Sequence, residues 1–267
     1  MKILMITSCN RIKQTLLSLS INAQIIKEPF AILIVDCSTP ELEAEEACIL
    51  LQSQDPYNVV KPHNYCADVN LFYQAKQYFP QAIDYKVIHI TPRLQKQQGE
   101  ATMVAVGLQM AAMMGSRQDF GSNYVLKLTG TSILLTDIVS KLPTLLANAD
   151  VLTMHRANIG GEERTTRIFG ARPEILGGVF AKHGYLDYVE DLTGIYEQRF
   201  ARIINTHLPN RINYTGNDES GYLLEGGMAM QDSYGRTRIE KFIQDEVINT
   251  NATPYLQEFV NGGIWML

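Results

Sequence analysis

The 267-residue sequence lacks the features of a nucleic-acid-binding or membrane-spanning protein. Acidic residues outnumber basic ones by 28 to 23, and a net charge of -5 argues against a broad basic surface for nucleic acid. The opening apolar run is too short for a signal-peptide core and far short of a membrane span. We therefore expect a cytoplasmic protein without transmembrane segments, and peripheral contact with the inner face of the membrane stays an open alternative.

Cysteine and histidine are scarce, and neither is clustered. The four cysteines lie in the first quarter of the chain without CxxC spacing, and the five histidines occur singly. This pattern excludes the usual zinc frameworks and favours reduced thiols. Apolar residues, in contrast, make up 46% of the chain, which is enough for a large core.

Compact apolar runs alternate with helix-like patterns in the first part of the chain. The runs predict strands at 2–8, 31–36, 85–92, 123–130 and 150–156. Apolar residues at helical spacing predict helices at 11–24, 37–52, 99–116 and 136–149. Near-continuous apolar strands are typical of a parallel sheet that is covered on both faces. The sequence thus predicts an α/β fold with a mostly parallel sheet flanked by helices.

The second half of the chain is less regular. The stretch 157–167, ANIGGEERTTR, is charged and contains glycine, so it predicts a mobile loop. A long helical pattern follows at 184–205. We divide the chain into a domain at 1–230 and a C-terminal extension at 231–267 that packs either on that domain or on a partner.

Three segments, taken in order, resemble the nucleotide-sugar glycosyltransferases of the GT-A fold, most nearly family 2. They are ILMITSCNRIKQTLLSLSINAQ, ILIVDCSTPE and GEATMVAVGLQMA. The resemblance implies a Rossmann-type mixed sheet and the transfer of a sugar from a nucleotide-sugar donor to a glycan or lipid-linked acceptor. It also implies a role in surface polysaccharide or other glycan synthesis.

The stretch YVLKLTGTSILLTD resembles the family's strand that ends in a metal-binding Asp-x-Asp motif. Aligned without a gap, that motif falls on Thr129, Gly130 and Thr131. Threonine hydroxyls are weak ligands for a hard divalent cation, which prefers charged oxygens. We therefore expect a metal-independent enzyme with no cofactor, in which Gly130 either permits close approach of the donor or merely ends the strand.

Basic side chains are the candidates to neutralise the donor diphosphate in place of a metal. Lys127 shares a strand face with Thr129, and a lysine in an apolar strand needs a partner or water for its ammonium group. The arginines around the charged loop are either further diphosphate ligands or an ordinary solvated surface; they are Arg156, Arg164, Arg167 and Arg172.

The end of the second predicted strand carries Asp36, at the edge where open α/β sheets bind ligands. The resemblance assigns Asp36 to the base or ribose of the donor, with Thr7, Ser8 and Arg11 beside it. The alternative is that Asp36 caps the following helix, although Ser38 or Thr39 would fill that role better.

The segment IFGARPEILGGVFAKHGYLDYVEDLTGIYEQR resembles the family region that carries an acidic pair. This places the general base at Asp191, with Glu190 as its neighbour and Glu197 in reserve, and implies inversion at the anomeric carbon. The alternative is an exposed helical face. Two other functions stay open: a non-catalytic GT-A-like binding domain, and a sugar nucleotidyltransferase, which is disfavoured because TSCNRIKQT lacks a glycine-rich phosphate loop.

Overall fold

The computed structural model describes most of the chain. The described residues are 1–9, 11–38, 68–90, 96–115, 122–155, 164–183, 196–215, 223–224 and 233–263. Residues 39–52 of the helix predicted at 37–52 and residues 157–163 of the charged loop lie outside them.

A seven-stranded mixed sheet runs through the domain. Its strands are β1 Lys2–Ser8, β2 Phe30–Asp36, β3 Ala82–His89, β4 Tyr124–Thr129, β6 Val151–His155, β7 Arg164–Ala171 and β8 Arg211–Thr215. Their order in the sheet is β3-β2-β1-β4-β7-β6-β8. Strand β7 is antiparallel to both of its neighbours, and the other pairs are parallel. A separate two-stranded sheet pairs β5 Ile133–Leu134 with β9 Leu223–Leu224. The predicted mostly parallel α/β sheet is confirmed.

Helices cover both faces of the large sheet. The longer ones are α1 Ile12–Ile25, α3 Lys96–Met113, α5 Pro173–Lys182, α6 Tyr196–His207 and α7 Ser233–Gln244. The shorter ones are α2 Asn70–Ala75, α4 Leu142–Leu145 and α8 Pro254–Val260, with 3-10 turns at Lys76–Tyr78 and Thr250–Ala252.

Alternation along the strands divides the core into two layers. In β1, Leu4 and Ile6 pack with α1, whereas Ile3 and Met5 pack on the other face with α3. All four side chains are at most 1% exposed. Burial of each such aliphatic side chain contributes about 1.5–3 kcal/mol, so the paired layers fix which face every strand residue takes.

Two predictions about local structure are wrong. The helix predicted at 136–149 reduces to α4, because Pro143 restricts the residue before it and lacks an N–H. The Asp137 carboxylate also accepts a hydrogen bond from the Ser140 amide at 3.0 Å, which forms a turn instead of a helical start. The stretch 164–167, assigned to a loop, begins strand β7.

The C-terminal segment packs on α1. Lys13 Nζ lies 2.9 Å from Glu258 Oε1, and the Thr253 hydroxyl donates to Ser20 Oγ at 2.9 Å. Leu256 of α8 is fully buried in the same core layer. Among the described residues, no helix combines the length and the apolar character needed to cross a bilayer.

Gly130 is required where β4 ends against α1. A Cβ atom at this position would overlap Thr15 Oγ1 and lie 3.1 Å from the Thr7 carbonyl oxygen. We expect Gly130→Ala to lower the free energy of unfolding by about 1–3 kcal/mol, as overpacking does. Urea denaturation followed by circular dichroism measures this change.

Gly178→Ala is the matched control, because a Cβ atom there meets nothing within 4 Å. Gly178 lies inside α5, so alanine should raise stability by about 0.5–1 kcal/mol through helix propensity. Equal stability of Gly130→Ala and the wild type would contradict the close packing of β4 on α1.

Candidate active site at the carboxyl edge of the sheet

The carboxyl ends of β1, β2, β3 and β4 meet at one edge of the sheet, on both sides of the point where the strand order reverses. Open α/β sheets bind ligands outside this kind of edge. Register pairing brings Thr7 beside Thr129 and joins Ser8, Asp36 and His89 in one row. The edge therefore gathers polar side chains from four strands.

Lys127 lies on the α3 face of β4, where an apolar side chain would be expected. Its side chain is fully buried and its ammonium group forms an ion pair with Glu100 of α3. The Thr166 carbonyl accepts a further hydrogen bond from Lys127 Nζ at 2.7 Å. Lys127 therefore has the partners that its buried ammonium group requires, and they all belong to the protein. The ammonium group is not exposed to solvent.

Two threonine hydroxyls surround this ion pair. The Thr7 hydroxyl donates to Glu100 Oε1 at 3.2 Å, and Lys127 Nζ donates to Thr129 Oγ1 at 3.4 Å. Thr129 Oγ1 also lies 3.4 Å from the Arg167 carbonyl oxygen, which it reaches as donor. The Thr129 side chain is partly exposed, so it lies between the buried ion pair and the solvent at this edge.

Two other predicted residues, Ser8 and Gly130, lie on the α1 side of the same edge. Ser8 Oγ lies 3.2 Å from Thr15 Oγ1, and Gly130 donates its amide to the Thr7 carbonyl at 2.8 Å. The close packing of Gly130 on α1 explains why a glycine is needed at this position, and no ligand has to be invoked. Thr131, next in the chain, is partly exposed.

Asp36 is 1% exposed, and its described contacts are internal. Ser38 donates its hydroxyl to Oδ1 at 2.7 Å and its amide to Oδ2 at 3.0 Å. His89 Nδ1 lies 3.0 Å from Oδ2. Burial raises the pKa of Asp36, while the hydrogen bonds from Ser38 and His89 act in the opposite direction.

The arginines separate into different regions. Arg167 in β7 lies opposite Thr129, and Arg11 directly precedes α1 at the same edge. Arg172, in contrast, follows the end of β7 beside the starts of β4 and β6, roughly 17 Å along the strand from Arg167. Because β7 is antiparallel, the structure does not bring Arg172 together with Lys127 and Thr129.

Three predicted residues lie outside the part of the chain that the structure describes: Asp191, Glu190 and Arg156. Only the backbone positions are described for Arg164, which begins β7, and for Glu197, which lies in the first turn of α6.

Sequence reasoning missed Glu100 and His89. Glu100 is a carboxylate in an otherwise apolar part of α3, and the buried lysine in β4 required such a partner. His89 ends β3 just as Asp36 ends β2, so the argument that selected Asp36 applies to it equally.

The described residues at the Thr-Gly-Thr position do not fit a divalent cation. Thr129 and Thr131 offer hydroxyls, and the Glu100 carboxylate already neutralises Lys127. A buried ammonium group at this place also opposes a second cation electrostatically. Hard cations favour several charged oxygens, which this group of side chains does not supply.

Comparison with solved structures identifies the fold. The glycosyltransferase GlyE of Streptococcus pneumoniae TIGR4 has a TM-score of 0.52 and 10% identity over 92% of this chain and 52% of its own. TarS 1–349 of S. aureus in complex with UDP has a TM-score of 0.50 and 13% identity over 84% of this chain and 60% of its own. The architecture is thus GT-A-like, and the chain spans roughly half the length of these structures. No protein-family model and no curated protein matches the sequence.

Removal of one charge from the buried ion pair should be costly. Glu100→Gln leaves the fully buried Lys127 ammonium group without its counter-charge, so we expect a loss of about 3–5 kcal/mol in the free energy of unfolding. Equilibrium urea denaturation gives the value.

The double variant Glu100→Gln/Lys127→Met is the control, because it removes both charges and keeps a long side chain in β4. We expect it to be more stable than Glu100→Gln alone. A cost below about 1 kcal/mol for Glu100→Gln would show that the ammonium group reaches water.

Proposed function

We propose that the protein is an inverting, metal-independent glycosyltransferase that moves a sugar from a nucleotide-sugar donor to a hydroxyl of a glycan or lipid-linked acceptor. The observation that carries the proposal is the Lys127–Glu100 ion pair. It occupies the switch point of a GT-A-like sheet, beside threonines at the position where related enzymes are expected to hold a metal. The expected setting is the synthesis of a surface polysaccharide or another glycan.

The donor diphosphate must be stabilised by hydrogen-bond donors and positive charge as it leaves. Lys127 is too buried to contact it, so we assign this lysine to positioning: it donates to Thr129 Oγ1 and holds that hydroxyl at the edge. When the donor binds, the Thr129 proton turns from the Arg167 carbonyl to a phosphate oxygen. Arg167 and Arg11 supply guanidinium groups from the same edge. Thr131 is a further candidate hydroxyl donor.

The acceptor hydroxyl must lose its proton as its oxygen attacks the anomeric carbon. We assign that proton to Asp191, with Glu190 beside it, on the strength of the resemblance. The bond from the anomeric carbon to the diphosphate oxygen breaks on the opposite side, so the configuration inverts. The nucleoside diphosphate leaves with the electron pair of that bond.

A second candidate function is a GT-A-like domain that binds a nucleotide or glycan without turnover. The ion pair itself favours it, because Glu100 cancels the positive charge that Lys127 would otherwise contribute to a departing diphosphate. Measurements of binding and turnover on the same preparation distinguish the two functions.

Calorimetric titration with a panel of nucleotide sugars tests donor binding and its metal dependence. We expect one nucleotide sugar to bind with the same affinity in chelator and in manganese, because the diphosphate ligands are protein side chains. Thr129→Val keeps the shape of the side chain but removes its hydroxyl, so it should weaken that binding by roughly ten-fold.

Ser140→Ala serves as the control, because this hydroxyl lies near the opposite edge and accepts the Glu28 amide at 3.2 Å. Binding that appears only with manganese would contradict the metal-free donor site. Binding without transfer or donor hydrolysis would support the non-catalytic domain.

Asp191→Asn should strongly slow transfer while the donor still binds. Loss of a general base lowers kcat by about 100- to 10,000-fold, whereas the diphosphate contacts are unchanged. The rate of nucleoside diphosphate release in the presence of acceptor gives the effect, with Glu197→Gln as the comparison. An equal loss in both variants, or none in either, would contradict the assignment of the base.

A further inference from the structure

The row Ser8, Asp36 and His89 extends the candidate site away from the switch point. Asp36 pairs in register with both Ser8 of β1 and His89 of β3, so the three residues lie on one face of adjacent strands. Neighbouring strands are about 4.8 Å apart, which places His89 roughly 10 Å from the end of β1. This distance suits the nucleoside of a donor whose diphosphate lies at the switch point.

The carboxylate of Asp36 already has hydrogen-bond partners within the protein. It is 1% exposed, and each of its oxygens accepts a hydrogen bond from Ser38. Its remaining described contact is His89 Nδ1. The role that the resemblance gives to Asp36, direct contact with the base or ribose, would require these internal bonds to break.

The hydrogen bonds around Asp36 decide which nitrogen of His89 carries the proton. Ser38 donates to both carboxylate oxygens, which favours the ionised carboxylate as acceptor. His89 Nδ1 is then assigned as the donor to Oδ2, and in this neutral tautomer the lone pair lies on Nε2.

The other ring nitrogen of His89 has no hydrogen-bond partner among the residues that the structure describes. Nε2 is buried and makes no hydrogen bond with any residue that the structure describes, although the side chain as a whole is 19% exposed. A buried acceptor without a donor is costly, and a ligand that supplies an N–H or O–H group at this point removes the cost.

We propose that His89, oriented by Asp36, is the residue that recognises the donor nucleoside: Nε2 accepts a hydrogen bond from an N–H of the base or a hydroxyl of the ribose. The inference rests on the proposed function, since it requires a nucleotide donor. Asp36 is then a positioning residue that acts through the imidazole ring. Nucleoside selectivity resides in the side chain that ends β3 and not in the aspartate that ends β2.

His89→Asn tests the proposal and keeps the hydrogen bond to Asp36. The asparagine amide can take the place of Nδ1 as donor to Asp36 but cannot reach the position of Nε2. His207→Asn is the matched control, because His207 stacks on His183 beside the start of β8, at the opposite edge of the sheet. Circular dichroism and thermal melting check that both variants are folded.

The probes are UDP, dTDP, GDP, CDP and ADP, titrated calorimetrically into the wild type. The one that binds is then compared with its form methylated at the hydrogen-bearing nitrogen of the base and with its 2′,3′-dideoxy form. We expect His89→Asn to lower the affinity for the unmodified nucleotide by about ten-fold and His207→Asn to leave it unchanged.

The modified probes identify the source of the hydrogen. If the base N–H donates the hydrogen bond to Nε2, methylation of the base weakens binding to the wild type and has no further effect on binding to His89→Asn. If a ribose hydroxyl donates it, the dideoxy form weakens binding to the wild type and has no further effect on binding to His89→Asn. Unchanged affinity in His89→Asn, or equal sensitivity to both modifications in variant and wild type, overturns the inference and leaves the proposed function intact. Failure of the wild type to bind any of the five nucleotides overturns both.

Discussion

The arrangement of the carboxyl edge depends on one fully buried ammonium group, that of Lys127. A charge in the interior of a sheet is tolerated only if it is paired and hydrogen-bonded, and here Glu100, Thr129 and the Thr166 carbonyl meet this requirement. These partners come from α3, β4 and β7. The pairing therefore holds three elements in position at the point where the strand order reverses, and it fixes the side chains that a ligand would meet.

The same interaction determines the charge at the position to which the resemblance assigns an Asp-x-Asp motif. Two carboxylates at that position would attract a divalent cation. This chain instead has a lysine two residues earlier in β4 and a glutamate facing it from α3. The local charge is thus balanced within the protein, which agrees with donor binding that needs no metal and accounts equally for a binding domain without turnover.

Much of the fold was predictable because β1, β2 and β4 are buried on both faces and therefore read as continuous apolar runs. Strand β7 was missed because its first half, RTTR, is polar and lies at the site edge, where side chains need not be apolar. Its antiparallel direction also could not be read from composition, and this direction separates Arg172 from Arg167. Asp36 was found by its position after a strand, but its internal bonding to Ser38 and His89 depends on contacts between strands that a single sequence does not show.

Two consecutive residues at the end of β1 make contacts on opposite faces of the sheet. Thr7 bonds to Glu100 in the α3 layer, whereas Ser8 contacts Thr15 in the α1 layer. One strand end is thus tethered to both helical layers at once. A shift of β1 by one residue along its axis would exchange the two sets of contacts, so the end of the strand is held in one position. Sequence differences among chains with this architecture are therefore expected in the loops that follow the strands.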